Sequence, residues 1–183
     1  MPRPDHVLGE GRSLILGKRE GMVGEFVSRS DASGFVAVLA VNDRREMLLT
    51  EQFRPAIGKR VLELPGGLAG DEPLNPDEPL LTAAKRRLYE ESGYEALKWW
   101  SLFDGPLAPT VCDESLTMFL ATQLTRISES ERLGADEEPL QTHVVPIRDL
   151  PDFTERALDR DCLVDYRIHA ALAVGRAHPM FPV

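Results

Sequence analysis

The chain has 183 residues, 43% of them hydrophobic and 28% charged, with a formal net charge of −9. That length and apolar content suffice for one globular domain with a buried core. The acidity excludes a general nucleic-acid or anionic-membrane binder, which needs a basic surface.

Residues 1–12 mix prolines, glycines and charges without periodicity, so a loose leader is expected there, with no apolar run of the signal-peptide kind. Ser13–Gly17 and Met22–Arg29 are short β-prone runs on either side of KREG and predict a hairpin. Phe35–Val41, FVAVLAV, is a continuous apolar run that suits a strand buried on both faces. Met47–Phe53 follows a polar turn and is expected to pair antiparallel with it, ending at Arg54-Pro55. Val61–Leu64 is a further strand, stopped by Pro65 and a turn at Gly66-Gly67. Residues 68–78 are acidic and proline-bearing, which predicts a surface loop.

Pro79 suits the first position of a helix, Leu81, Ala84 and Leu88 recur at core-facing spacing, and Gly93 is placed to end it. Trp99–Phe103 and Leu116–Leu124 read as strands, with the two tryptophans packing on the sheet, and Gln141–Ile147 as the last strand, which includes His143. Asp149–Arg160 and Asp165–Ala177 close the chain as helices. The expected fold class is α+β, an α-β-α sandwich around a mixed sheet. An N-terminal leader and hairpin (1–34) precede the main domain (35–183). Cys112 and Cys162 match neither a disulfide framework nor a metal-ligand spacing. No apolar segment reaches the roughly 20 residues that span a bilayer. A soluble, cytoplasmic protein with idle thiols is expected.

Charge concentrates where the predicted helix begins and ends. Arg86, Arg87, Glu90 and Glu91 occupy little more than one helical turn, behind a glycine-rich segment. A loop feeding such a helix is one way to hold a hard divalent cation against phosphate oxygens. The plainer alternative is a set of helix-surface salt bridges, since Arg86 and Glu90 stand four apart and Arg87 can pair with Glu90 or Glu91.

Residues 67–94 resemble the signature box of the Nudix hydrolases, G-x5-E-x7-R-E-U-x-E-E-x-G-U, where U is a bulky aliphatic or aromatic residue. Arg86, Leu88, Glu90, Glu91, Gly93 and Tyr94 fall in register, and seven residues separate Glu78 from Arg86 as the pattern asks. Two departures stand out. Ten residues separate Gly67 from Glu78 where the box has five, and Glu72 competes with Glu78 as the loop glutamate. Arg87 stands where the box has its first helix glutamate, and a guanidinium cannot ligate a cation. Its charge could substitute for a metal or exclude one. EQFRPAIGKRVLELPGG, LAPTVCDESLTMFLA and ADEEPLQTHVVP are similar to segments of the ADP-ribose and nucleoside-diphosphate-sugar pyrophosphatases of that family.

The resemblance implies hydrolysis of a nucleoside-diphosphate-linked small molecule with Mg2+ or Mn2+, by a homodimer built on the N-terminal hairpin. It implies Gly66, Glu78, Glu90, Glu91 and Glu138 as the metal side of the site. Arg54, Glu63 and Arg86 form the substrate side. Glu138, Glu137 or Asp136 would act as base, and Arg87 becomes part of a revised catalytic set. Arg54 could fork onto a phosphate or a ribose diol. A different class of protein remains open, a binding module that kept the fold and, through Arg87, lost the chemistry.

Overall fold

The computed structural model describes residues 3–71, 75–128 and 140–182. Its axis is the apolar run, now strand β4 (Gly34–Val41), whose side chains are buried on both faces of the sheet. Alternation along the strand divides the core in two. Val36, Val38 and Ala40 pack with Leu48, Phe119 and the helix residues Ala83, Ala84 and Leu88. Ala37, Leu39 and Val41 pack the other way, with Leu49, Leu62, Leu120, Ile168 and Leu172. The helix on the first face is α1 (Leu80–Ser92); α2 (Leu150–Asp159) and α3 (Arg167–Gly175) cover the second. The expected three-layer α-β-α arrangement is therefore present.

The earlier strands are β1 (His6–Glu10), β2 (Leu14–Lys18) and β3 (Phe26–Arg29), and those after β4 are β5 (Glu46–Arg54), β6 (Lys59–Glu63) and β7 (Gly66–Ala69). Beyond α1 come β8 (Tyr94–Pro106), β9 (Ser115–Arg126), β10 (Gln141–Pro146) and the short β11 (Leu163–Val164). The main sheet runs β11-β6-β5-β4-β9-β8, with β10 on β5 and β7 on β4. It is mixed: β4 pairs β9 in parallel from Phe35↔Leu116 to Val41↔Thr122, whereas β8 and β9 are antiparallel.

Several expectations need correction. β4 and β5 pair antiparallel as expected, but only through the single register pair Val41↔Met47. Beyond that point β4 takes β7 as its neighbour and β5 takes β6. The two strands thus diverge, and the chain crosses between them through Leu64-Pro65. Gly66–Ala69 is a strand paired with Gly34–Ala37, not a turn, because hydrogen bonds to the β4 edge outweigh the turn preference of two glycines. A Cβ on Gly66 would lie 2.3 Å from the Val36 carbonyl oxygen, so only glycine permits this approach.

Residues 6–10 pair with β2 where a loose leader was expected, extending the hairpin to three strands. Gln141–Pro146 is not the last strand, since β11 adds in parallel to β6. α1 begins one residue after Pro79, and Leu81 is exposed, its place on the buried stripe taken by Leu80 and Ala83. The αL conformation of Gly93 (φ 71°) ends the helix as the sequence predicts. Of the tryptophans, Trp99 meets Phe119 edge-on at 6.4 Å, a packing role.

Candidate active site

The buried stripe of α1 holds charged residues as well as apolar ones, because 3.6 residues per turn aligns Arg87 and Glu91 with Ala83, Ala84 and Leu88. Both charged side chains meet β7. The Gly66 N–H donates to Glu91 Oε2 at 3.0 Å, and β10 adds a second tie where the Thr142 hydroxyl donates to the Glu91 carbonyl at 3.0 Å. Arg87 is 4% exposed. Its Nε and Nη2 donate to the Leu68 carbonyl at 3.2 and 3.1 Å, Nη1 reaches Glu90 at 3.2 Å, and Nη2 also pairs with Asp71. The absence of a side chain on Gly67 makes room for it, as a Cβ there would lie 2.8 Å from Arg87 Nε.

Arg86 forms the other half of this network. It donates through Nε and Nη2 to Glu78 at 2.9 and 2.6 Å, through Nη2 to Asp71 at 3.1 Å, and through Nη1 to Glu90 at 3.3 Å. Glu78 is buried and also accepts from the Gly70 N–H at 3.2 Å. The hydrogen bond from Arg86 outweighs burial and holds the Glu78 carboxyl below its ordinary range; the same contact pushes Arg86 further toward its charged form. Burial raises Asp71, but the charges and hydrogen bonds of Arg87 and Arg86 together outweigh it and leave that carboxyl lowered too. Glu78 is thus the acidic brace of the box loop, and within the expected surface loop Ala69, Gly70 and Glu78 are buried.

Asp71 was missed from sequence. It bonds partners 15 and 16 residues away, so no helical or strand period pointed to it. Gln52 and Thr142 were missed for the same reason.

A second pair sits three residues before Gly66. Arg54 Nε donates to Glu63 Oε2 at 2.8 Å, and Gln52 Nε2 donates to the same oxygen at 3.3 Å. Thr50↔Glu63 and Gln52↔Val61 are in register, which places Glu63 and Gln52 on one face of β5-β6. Glu63 is buried, and desolvation, only partly offset by Arg54, raises its carboxyl above the ordinary value. Arg54 keeps 40% of its side chain exposed. Its guanidinium is therefore anchored on one edge and open on the other.

The structure joins Glu78, Arg86, Arg87 and Glu90 in one network at α1 and the loop before it, ties Gly66 to Glu91, and pairs Arg54 with Glu63 on β5 and β6. Asp136, Glu137 and Glu138, and the competing Glu72, lie outside the described residues. Asp113 and Glu114 do not join the network: Ser28 donates to Asp113 at 2.8 Å and Arg29 to Glu114 at 2.8 Å, fastening the N-terminal sheet. His143 lies in β10 as expected and faces Glu51 at 3.1 Å on the opposite side of the sheet.

Among the described residues, no three His, Cys, Asp or Glu side chains converge to hold a metal ion. The donor chemistry gives the reason. Arg87 puts a cation where the resemblance expects a ligating carboxylate, Glu78 is spent on Arg86, and Glu90 faces two guanidinium groups. The described side chains alone do not fit a multiply ligated divalent ion.

Residues 32–166 match the model of the NUDIX domain. The chain belongs to the Nudix family. This Nudix chain is 40% identical over 98 residues to an ADP-ribose pyrophosphatase of Mycobacterium tuberculosis, covering 54% of the chain and 45% of that protein. It is 36% identical over 104 residues to an ADP-ribose pyrophosphatase of Bacillus subtilis, covering 57% and 54%. A methanol dehydrogenase activator of Bacillus methanolicus is 30% identical over 104 residues, again covering 57% and 54%. The chain spans about half the length of these curated relatives. A solved structure titled "Crystal structure of ADP compounds hydrolase" superposes with a TM-score of 0.61, covering 85% of this chain and 86% of the other; at 20% identity it supports the fold alone.

Proposed function

We propose that this Nudix chain hydrolyses a nucleoside-diphosphate-linked compound, ADP-ribose or a nucleoside-diphosphate sugar, to two monophosphates. The observation that carries this reading is the half-open Arg54 fork on buried Glu63, three residues from the Gly66–Glu91 contact. Arg54 offers a planar donor pair to phosphate or ribose. Water oxygen bonds to one phosphorus, the bridging P–O bond breaks toward the other phosphate, and a carboxylate takes the water proton. Asp136, Glu137 and Glu138 are the proposed acceptors. Arg86, braced by Glu78, positions α1 against the box loop. The family resemblance adds a Mg2+ or Mn2+ requirement with Gly66, Glu78, Glu90, Glu91 and Glu138 as the expected ligands; because arginines engage Glu78 and Glu90, such an ion would depend on Glu91, Gly66 and Glu138, and no step above is routed through it.

Incubating the protein with ADP-ribose and a panel of nucleoside-diphosphate sugars, with either metal and with chelator, tests the reading. Release of AMP or the corresponding monophosphate is expected. No product from any substrate would overturn it.

One observation favours a second reading, a nucleotide-binding protein with impaired chemistry: the buried Arg87 cation lies among the box carboxylates. Arg87→Glu separates the two. A large gain in turnover assigns the wild type to the impaired class, and a loss assigns Arg87 to a revised mechanism. We also propose a homodimer through the N-terminal sheet, where Val7, Leu8, Leu14 and Leu16 are exposed. A cytoplasmic setting is consistent with two unpaired cysteines. Among the described residues, no helix is long and apolar enough to cross a membrane.

A further inference from the structure

At the far end of β5 and β10 from the candidate active site lies a cavity of about 340 Å³ lined by Arg44, Arg45, Arg148 and Arg176, with Glu46 its single acidic side chain. The arginines come from three separate places: the β4–β5 turn, the end of β10 and the end of α3. Glu46 is already engaged, accepting from Asn42 Nδ2 at 2.8 Å and from Arg44 Nε at 3.0 Å. Arg148 has a contact with exposed Asp149 at 3.4 Å. Arg45 and Arg176 have no side-chain partner among the described residues. Gathering four guanidinium groups around one hollow is repulsive unless an anion enters, and it occurs here on a chain of net charge −9.

The backbone gives an independent sign. Arg45 adopts φ 61°, the left-handed conformation that glycine or asparagine takes at low cost in a hairpin turn of this kind. It is locked there, its N–H donating to the Asn42 carbonyl at 3.0 Å and its carbonyl accepting from Ile147 N–H at 2.9 Å. A side chain is thus kept at a position that favours having none, and its guanidinium faces the cavity without a counter-ion. Strain of this sort persists where the surrounding structure enforces it, often at a site.

We infer that this arginine pocket is a second ligand site, for a small polyphosphate group such as pyrophosphate or the diphosphate of a nucleotide. The volume is at the small end of ligand pockets, and planar guanidinium forks match phosphate oxygens two at a time. β5 runs from Glu46 at this pocket to Arg54, about 25 Å at roughly 3.3 Å per residue, so the pocket is separate from the proposed hydrolytic site.

Calorimetric titration with inorganic pyrophosphate, without divalent metal, tests it. The wild type is expected to show a binding equivalent that weakens at least tenfold in Arg45→Gly/Arg176→Ser, while turnover of ADP-ribose and the melting temperature hold. Glycine suits φ 61°, so the backbone tolerates the change; the exposed Arg148→Ser alone, expected to weaken binding about threefold, guards against a misfolded double variant. Any pyrophosphate bound at the hydrolytic site survives the double variant, so the outcome does not depend on the proposed activity. A double variant that keeps every wild-type binding equivalent at an affinity within twofold, or no saturable binding to the wild type, overturns the inference. Citrate binding as tightly as pyrophosphate also overturns it, by reducing the pocket to a general cationic patch.

Discussion

Arg87 ties the helix to the box loop through the Leu68 carbonyl and Asp71, and pairs within the helix with Glu90. Removing one partner of a buried pair leaves the other desolvated and unpaired, so Arg87→Ala is expected to cost about 3 kcal/mol in urea unfolding. A loss below about 1 kcal/mol would mean that the pair does not hold the loop. Arg87→Glu puts a fifth carboxylate beside Asp71, Glu78, Glu90 and Glu91. Its melting temperature is expected to rise with added Mg2+ by more than that of the wild type.

On the other face, Glu51 is fully buried between Arg160 at 2.5 and 2.8 Å, Arg60 at 2.9 Å and His143 at 3.1 Å. The hydrogen bond from Arg160, against burial and with help from Arg60 and His143, lowers its carboxyl to about 2 from an ordinary 4.5. A folded-state value below the unfolded one stabilises above pH 4.5 and loses that contribution as pH falls toward 2, about 3 kcal/mol in all. Glu51→Gln should therefore differ most from wild type at pH 5 and least near pH 2 when unfolding free energies are compared. Glu63 has the opposite sign. Its raised carboxyl makes the folded state bind the proton more tightly, so its contribution declines as pH rises above 4.5 through the folded value.

Among elements, β7 decides the geometry of the site. It lets α1, through Glu91, and β4, through the register Ala37↔Gly66, share one glycine. In Gly66→Ala the methyl meets backbone at 2.3 Å from Val36 and 2.9 Å from Ala37, and neither can rotate away. Separation of β7 from β4 is expected, costing about 3 kcal/mol by the usual overpacking scale. Hydrogen exchange should show faster exchange at the Gly66 amide, and unchanged exchange would contradict the close approach. The five extra residues in the box loop do not disturb this arrangement, because loop closure costs little more for a longer loop and Glu78 still reaches Gly70 and Arg86.

For the whole molecule, the N-terminal sheet is joined to the body through Val27–Val111, Ser28–Asp113 and Arg29–Glu114, and exposes Leu14 and Leu16 on one face. Sedimentation equilibrium is expected to give a dimer for the wild type and a monomer for Leu14→Asp/Leu16→Asp. A wild-type monomer at micromolar concentration would remove the proposed assembly. The apolar run 35–41, the helix ending at Gly93, both C-terminal helices and the register of Arg86, Glu90 and Glu91 were legible from sequence, because each follows from local periodicity or a local backbone preference. The strand at Gly66–Ala69, the parting of β4 from β5, the Asp71 clamp and the four arginines around one cavity were not. Each depends on partners far apart in the chain, and residue spacing carries no record of a contact that only packing creates. The sequence alone thus determined the layers and the charged helix; tertiary structure decided what those charges face, because burial forces Arg87 and Glu91 to find partners on β7 and Glu78 to find them at Gly70 and Arg86.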